Sequence, residues 1–386
     1  MRSEWVQTTI GAITDSCLGK MLDAKKNKGE YKPYLANVNV RWGSFDLSDL
    51  REMRFEDEEE ERYGVKNGDL IMCEGGEPGR CALWMRDDYS IRVQKALHRI
   101  RAKEGTSISF LYYWFLYAGR LGMLESYFTG TTIKHLPGDK LRSISLLIPT
   151  YEEQCRIAEI LYSLDRKIEG NNLVNDNLLQ QAMAIFNDRY DSAEEQCPFT
   201  SLIHVLGGGT PKTGNPEFWN GDIPFFTPKD VGSPYTFQTE KTITPTGLEH
   251  CNSRLYPKNT SFVTARGTVG KVSLAGKPMA MNQSCYALAS DSIDPILVYF
   301  YTLRAVDSLK HKASGAVFDA IVTRDFETEV VSVIPETESK AILSLIAPML
   351  EGIHTNTEES IRLAALRDAL LPRLMSGEID VSSVNL

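Results

Sequence analysis

The chain is short of the residue patterns that carry chemistry. Its seven cysteines, at 17, 73, 81, 155, 197, 251 and 285, form no C-x-x-C pair. An odd, scattered set fits reduced cytoplasmic thiols and argues against a zinc ribbon or a disulfide frame. Six histidines, at 98, 135, 204, 250, 311 and 354, stand singly, and His-Glu-x-x-His is absent. Asn-Pro-Pro-Tyr and Asp-Pro-Pro-Tyr, which hold a flipped base in methyltransferases, are absent too. The longest apolar run, Phe110–Gly119, is too short to span a bilayer, and "MRSEWVQTTIGAI" has no signal-peptide core. These absences set an expectation: a cytoplasmic chain with no catalytic residue, no metal and no cofactor of its own.

One stretch looks like an exception. "RGTVGKVSLAG" (266–276) places Gly-x-x-Gly-Lys between apolar segments, as a phosphate loop would. That loop needs another Gly upstream of the Gly-Lys pair and Ser or Thr after the Lys. Here Ala265 and Arg266 stand upstream and Val272 follows Lys271. The stretch therefore reads as strand–turn–strand, with Gly supplying positive φ. An earlier copy supports this. "KNGDLIMCEGGEPGRCALW" (66–84) parallels "KNTSFVTARGTVGKVSLAG" (258–276), with Gly79-Arg80 against Gly270-Lys271. Gln94 then falls against Gln283, Pro33-Tyr34-Leu35 against Pro224-Phe225-Phe226, and "SISLLIP" against "VVSVIP". The period is close to half the chain, which marks an internal duplication of mixed α+β modules.

The net charge of −9 is unevenly spread. Asp46–Glu61 holds nine acids and two bases, including the run "EDEEEE" at 56–61, which reads as a solvated loop. Residues 151–195 hold ten acids and four bases, and 336–386 hold eight and four. Residues 1–45 are +3, 62–150 are +5 and 196–335 are neutral. The acid total by itself argues against nucleic acid, whereas the basic remainder of the first module does not.

After each module the period turns helical. Ile157, Leu161, Leu164, Ile168, Asn171, Asn175, Leu178, Ala182 and Ile185 alternate by four and three, as in a coiled-coil seam. The second copy is Ile342, Ile346, Met349, Ile353, Asn356, Ser360, Leu363, Arg367 and Leu370. Both seams turn polar at the same depth, which suits a register device; the plainer alternative is that these residues face solvent. Arg367 breaks the second seam, with Leu366 able to replace it as the helix drifts. Pro348 should kink the second helix or delay its start. Helices of about 35–40 residues reach roughly 50–60 Å. Antiparallel pairing would set one module at each end of a rod, a pseudo-twofold dumbbell.

The segments "GGGTPKTGNPEFWNGDIPFFTPKDVG" (207–232), "RGTVGKVSL" with the Asn-Gln at 282–283, "PTYEEQCRIAEILYSLDRKIEGNN" (149–172), "AIFNDRYD" (184–191) and "LRDALLPRLMSGEIDV" (366–381) resemble, in order, the specificity subunit of type I DNA restriction–modification enzymes. "PYLANVNVRWGSFDLSDL" and "GDLIMCEGGEPGRCALW" resemble a common variant of its first domain. Pro348 and the polar "NDRYD" depart from the pattern. The resemblance implies an α+β chain with target-recognition domains at 1–150 and 196–335. Two long antiparallel coiled-coil helices, at 151–195 and 336–386, would join them. It implies a DNA-binding role in which each domain reads half of a split target. The helices would set the gap and dock two methyltransferase subunits, which restriction/translocase subunits join. S-adenosylmethionine, ATP and magnesium would sit on those partners.

Reading bases needs forked donors and acceptors, and holding phosphates needs cations, hydroxyls and amides. Candidates for DNA contact in the first module are Lys20, Lys25, Lys26, Lys28, Asn37, Asn39, Arg41, Thr131 and Lys134. In the second they are Thr210, Lys212, Thr213, Lys229, Arg266, Lys271 and Ser314. The plainer reading of each lysine is a solvated surface charge. Gly207–Gly209 suits either an unusual loop or close approach to a phosphate. Trp219 and Phe225 suit the core or base stacking; Gln94 and Gln283 suit adenine edges or structural hydrogen bonds. Helix-pairing candidates are Ile157, Leu161, Leu164, Ile168, Asn171, Asn175, Ile342, Ile346, Met349, Ile353 and Asn356. Two other functions stay open: a stand-alone two-lobed DNA-binding protein, and a non-catalytic protein-binding scaffold.

Overall fold

A computed structural model describes residues 5–232, 234–312, 320–381 and 384. The chain divides into two compact units, Met1–Arg166 with Leu363–Leu386, and Lys167–Arg362. Unit 1 contains β1 (Val6–Thr9), α1 (Ile10–Ile13), β2 (Thr14–Leu18), β3 (Glu30–Leu35), β4 (Arg51–Phe55) and α2 (Glu60–Tyr63). It continues with β5 (Asp69–Cys73), β6 (Cys81–Trp84), β7 (Arg92–Val93), β8 (Leu97–Ala102), α3 (Ile108–Arg120), α4 (Gly138–Ser143) and β9 (Ser145–Ile148). The 42-residue α5 (Tyr151–Ser192) begins in unit 1 and ends in unit 2.

Unit 2 adds β10 (Gln196–Pro198), β11 (His204–Gly207), β12 (Trp219–Phe226), β13 (Tyr235–Thr236), β14 (Thr242–Ile243), α6 (Pro245–Glu249), β15 (Ser261–Thr264) and β16 (Val272–Ala275). Then come β17 (Ala280–Met281), β18 (Cys285–Ala289), α7 (Pro295–Lys312), α8 (Thr323–Thr328) and β19 (Val330–Ser332). The 40-residue α9 (Glu336–Met375) begins in unit 2 and ends in unit 1.

The duplication read from sequence is a duplication of topology. Unit 1 has sheets β2-β8-β5-β6, β4-β3-β7 and β1-β9; unit 2 has β11-β18-β15-β16-β13, β14-β12-β17 and β10-β19. Strand for strand the orders match, with β13 as an addition. The central strands β5 and β15 are buried at every position, because a helix covers one face of the sheet and the smaller sheet with adjoining loops covers the other, through Leu35 and Val93 in unit 1 and Phe226 and Met281 in unit 2. The covering helices are α3 and α7. Ser107 caps α3 by accepting the Phe110 amide at 3.3 Å, and Phe110, Leu111, Tyr113, Trp114 and Phe115 fill the core beneath.

The paired turns are the same object. Gly79 donates to Cys73 O and Cys73 to Arg80 O; Gly270 donates to Thr264 O and Thr264 to Lys271 O. Gly79 (φ 91°) and Gly270 (φ 73°) take the left-handed conformation that closes each hairpin. The turn thus belongs to an antiparallel pair, β15 with β16, instead of preceding a nucleotide-binding helix.

Within each unit, α5 and α9 run antiparallel. In unit 1 Ile157 and Leu161 share a core with Leu371, Leu374 and Met375. In unit 2 Ile342, Ile346, Leu350 and Ile353 share one with Ala182 and Phe186, and Met349 and Leu178 pack on it half-buried. Leu164 and Ile168 are half-buried. The polar step of the seam is a hydrogen-bonded ladder. Asn171 Nδ2 donates to Glu359 Oε2 at 2.7 Å and lies 3.2 Å from Ser360 Oγ. Asn356 Nδ2 donates to Asn175 Oδ1 at 2.9 Å, and Asn175 Nδ2 to Thr357 Oγ1 at 3.3 Å. Asn171 and Asn175 are 4% and 8% exposed, so they do not face solvent.

Several expectations are corrected. The acidic run is only in part a solvated loop: Glu56, Asp57, Glu58 and Glu61 are exposed, while Glu59 and Glu60 are half-buried and act as a clamp. Glu59 pairs with Lys20, Glu60 with Arg92, Glu61 with Lys66 and Arg101, and Asp57 with Lys32. The cations sit on the surrounding strands and loops, so the acids fold down onto them. The second helix runs unbroken through Pro348, whose ring is exposed, and starts at Glu336. Leu366 does not replace Arg367: it is half exposed, and Arg367 Nη1 donates to Asp165 Oδ1 at 2.6 Å. Finally, Gln94 matches Asn282, one residue away from the Gln283 expected. Each donates its amide to the end of the parallel strand (Leu35 O, Phe226 O), and each side-chain oxygen accepts the amide two residues on.

Arg92 is 4% exposed and Glu60 is its carboxylate partner. Glu60→Ala leaves that guanidinium on carbonyls alone and should cost about 1–3 kcal/mol of stability, read as a lower urea midpoint.

His98 is 1% exposed, with Nε2 donating to Leu136 O at 2.7 Å. Burial holds its pKa below the usual histidine value. A folded pKa below the unfolded one means stability is fully present above about pH 6.5 and falls as the solution is acidified, by up to about 1.4 kcal/mol per pH unit. Thermal melts from pH 8 to 5 should show this fall, and His98→Gln should flatten it.

Candidate nucleic-acid interface

Unit 1 gathers part of the sequence-chosen set at one place. The loop after β3, the β5–β6 hairpin and the loop before α4 meet around a cleft of about 690 Å³. Trp42, Gly76, Glu77, Thr131 and Lys134 line it. Trp42 Nε1 donates to Glu77 Oε1 at 2.6 Å, and Arg80 reaches Glu77 at 2.8 Å and Asn37 O at 2.9 Å. His135 Nδ1 meets Glu74 Oε2 at 2.9 Å, tying the last loop to the hairpin. Thr131 and Lys134 are exposed, and Lys134 stands over the Phe128 ring. Arg41 is exposed and 3.6 Å from Asp46.

Lys25, Lys26 and Lys28 are exposed on the loop between β2 and β3. They sit at the opposite end of the six-residue β3 from Asn37, roughly 20 Å away by strand rise. Lys26 lies 3.7 Å from Asp23. They form a separate basic loop.

Two members of the first-module set leave the surface. Lys20 is 8% exposed; its Nζ donates to Arg54 O at 3.0 Å, pairs with Glu59 and lies over Phe55. Asn39 is 6% exposed, its oxygen accepting the Ala36 amide and its nitrogen donating to Asp46 O and Asp49 O. Both shape their module from inside and are withdrawn as DNA contacts. Asn37 is half-buried and contributes its carbonyl to Arg80.

In unit 2 the hairpin tip is again the meeting point. Thr268 Oγ1 donates to Pro228 O at 3.0 Å, which brings the Lys229 loop beside Arg266. Ala265 donates to Ser284 O at 2.8 Å, and the neighbouring Gln283 accepts from the Thr210 hydroxyl. Thr210, Gln283, Lys229 and Arg266 thus border one edge. Arg266, Lys212 and Thr213 are exposed with no side-chain hydrogen bond or ion pair among the described residues. Lys229 is exposed, 3.5 Å from Glu240. Ser314 lies outside the described residues.

Gly208 answers to its own fold: a Cβ there would lie 2.2 Å from Asn282 O. Phe225 is core; Trp219 is half-buried, edge-on to Phe225, with Nε1 donating to Lys212 O at 3.2 Å.

Lys271 leaves the hairpin on another side, where the Lys310 side chain crosses Gly270. Burial and then the Lys271 charge hold the Lys310 pKa below the usual lysine value. Lys310 was missed from sequence because it reads as one more cation at a helix end. Chemically, these edges offer cations, hydroxyls and amides, the equipment for holding phosphates. No described cluster of three His, Cys, Asp or Glu could hold a metal ion, and no described helix is long and apolar enough to cross a membrane.

Comparison with known proteins bears on both halves. The family described as "Type I restriction modification DNA specificity domain" matches residues 2–180 and 197–363. The type I restriction enzyme MjaIX specificity subunit of Methanocaldococcus jannaschii is 30% identical over 157 residues, 38% of this chain and 36% of that one. The HindI specificity subunit of Haemophilus influenzae is 25% identical over 333 residues, 64% and 72% of the two chains. The match therefore spans about a third of the archaeal relative's length. A solved type I restriction–modification S subunit from M. genitalium shares the fold, with a TM-score of 0.62 over 96% of both chains at 14% identity. With both modules matched, the chain belongs to the type I restriction–modification DNA specificity family.

Proposed function

We propose that the chain is the sequence-specific DNA-binding subunit of a type I restriction–modification complex. Residues 1–150 and 196–335 are its two recognition domains, each reading one half of a bipartite target. Residues 151–195 and 336–386 are the arms that hold the domains apart in a pseudo-twofold dumbbell, set the unread spacer and dock two methyltransferase subunits. Restriction/translocase subunits join that assembly. Adenine chemistry, with S-adenosylmethionine, ATP and magnesium, belongs to these partners in the cytoplasm; this chain supplies no catalytic residue. The supporting observation is the duplicated topology on antiparallel arms, which suits two similar readings of DNA at a fixed separation.

The direct test is exchange of residues 196–335 for the matching module of a relative, followed by sequencing of methylated sites. One half of the target should change while the other half and the spacer stay. A hybrid that changes both halves together refutes independent reading.

Surface and internal cations should separate in the assembled complex. Arg266→Ala should weaken DNA binding and shallow its salt dependence by about one unit of log–log slope, as loss of one phosphate contact does. Lys20→Ala should lower the melting temperature and leave that slope unchanged. Fluorescence anisotropy across a salt series, beside thermal melts, checks both.

A further inference from the structure

The two arms are near copies, so each could pair with itself in a second molecule as well as with the other in its own. Seam positions correspond at a spacing of 185 residues, Ile157 with Ile342 and Asn171 with Asn356. By that spacing Asp165 corresponds to Leu350, and Ala182 to Arg367. These four residues break the repeat together.

In unit 1 Asp165 faces Arg367. Arg367 Nη1 donates to Asp165 Oδ1 at 2.6 Å, and the Tyr113 hydroxyl donates to Asp165 Oδ2 at 2.7 Å. Arg120 fixes the adjacent Asp368 at 2.9 Å. In unit 2 the corresponding positions are Leu350 and Ala182, both wholly buried in one apolar core. The antiparallel register, with Asn175 beside Asn356 and the Leu178 side chain against Gly352, carries the next turn of α5 to Leu350. An acid thus meets a base in one unit, and a large apolar side chain meets a small one in the other.

The next turns follow the same rule. In unit 2 Phe186 stacks on Phe300 at 5.3 Å and meets Tyr301 edge-on at 5.1 Å, while Tyr190 lies 5.9 Å from Tyr301. The corresponding residues in unit 1 are Leu371 and Met375, packed with Leu161 and Ile157. Each module seats the end of the other module's arm, and the two seats differ.

We infer that Asp165–Arg367 and Leu350–Ala182 form a pairing key that joins α5 to α9 and disfavours pairing of either arm with its own kind. An α5–α5 pair would set Asp165 against Ala182 with no cation, and Phe186 in the seat of Leu371. An α9–α9 pair would press the Arg367 guanidinium against Leu350 in an apolar core, where an unpaired charge is strongly disfavoured. The ladder alone discriminates only in part: Asn171 and Asn356 correspond, while Asn175 has Ser360 as its counterpart. Under the proposed function, the key keeps two different modules on one rod and the target asymmetric. That consequence rests on the DNA reading; the key itself is tested on the chain alone.

The test inverts the key in the full chain. Arg367→Ala leaves Asp165 with the Tyr113 hydroxyl and no cation, and Ala182→Arg crowds Leu350. Each single variant should melt lower than wild type, at a temperature independent of protein concentration. In the double variant the introduced arginine can reach Asp165 only in a second molecule, and the small residue left at 367 accepts Leu350 there. Sedimentation equilibrium should show the wild-type and single-variant chains at 43.3 kDa. The double variant should show about twice that mass, with a melting temperature that rises with concentration. If a single variant fails to fold, a folded dimer of the double variant supports the key equally well. The inference is overturned if the double variant stays monomeric with the losses of the singles added, if it does not fold, or if the wild-type chain already self-associates with concentration-dependent melting.

Discussion

An apolar stripe along a helix of 40 residues must be covered, and this chain has two such helices. Their antiparallel pairing is the constraint on which the rest depends. Each unit completes its core with the end of an arm that begins in the other unit. Unit 1 uses Leu371, Leu374 and Met375 from α9, and unit 2 uses Ala182, Phe186 and Tyr190 from α5. Neither module closes its core with its own arm alone. Two distant halves of the sequence are therefore thermodynamically linked by ordinary side-chain burial.

Hydrophobic contact covers the stripe but specifies register poorly, since many offsets bury similar area. Polar groups in the seam provide the discrimination. Sliding α5 against α9 would move Asn171 away from Glu359 and Ser360 and leave a buried amide unpaired, at about 1–3 kcal/mol. Asp165, half-buried in unit 1 and satisfied there by Arg367 and the Tyr113 hydroxyl, adds a smaller penalty. Length of contact supplies affinity and a few buried polar pairs supply alignment. For a chain whose proposed task is to hold two reading heads at a set separation, alignment is the functional quantity.

The candidate DNA-facing edges show a different balance. Both hairpin tips are held by backbone bonds that repeat from one unit to the other, and their side chains differ. The first tip is braced by Trp42, Arg80 and Glu77, the second by Thr268 on Pro228. A fixed scaffold with variable edges is how one fold serves different DNA sequences, because sequence is read by side chains while the backbone only places them. The acidic clamp of unit 1 belongs to the scaffold. Its carboxylates pair with Lys20, Arg92 and Arg101, so these three are not among the exposed cations of the unit.

Patterns with a local or strictly periodic cause were legible in the sequence. The duplication, the two hairpins closed by Gly79 and Gly270, the helices α3 and α7, and the heptad seams with their asparagines all follow from spacing along the chain. Spacing also placed the exposed residues Lys134, Arg266 and Lys271 on hairpins or loops, though not which of them share an edge. Contacts between residues far apart in sequence were decided by tertiary structure. Lys20 and Glu59 look like separate surface charges until the fold brings them together and buries the lysine. Arg367 looks like a flaw in a heptad until Asp165, two hundred residues earlier, faces it. The Gln94–Asn282 equivalence is invisible to alignment because either carboxamide can accept the amide two residues on. Periodicity is a property of one segment and can be read from it. Charge pairing and burial are properties of two segments, and only folding chooses the second.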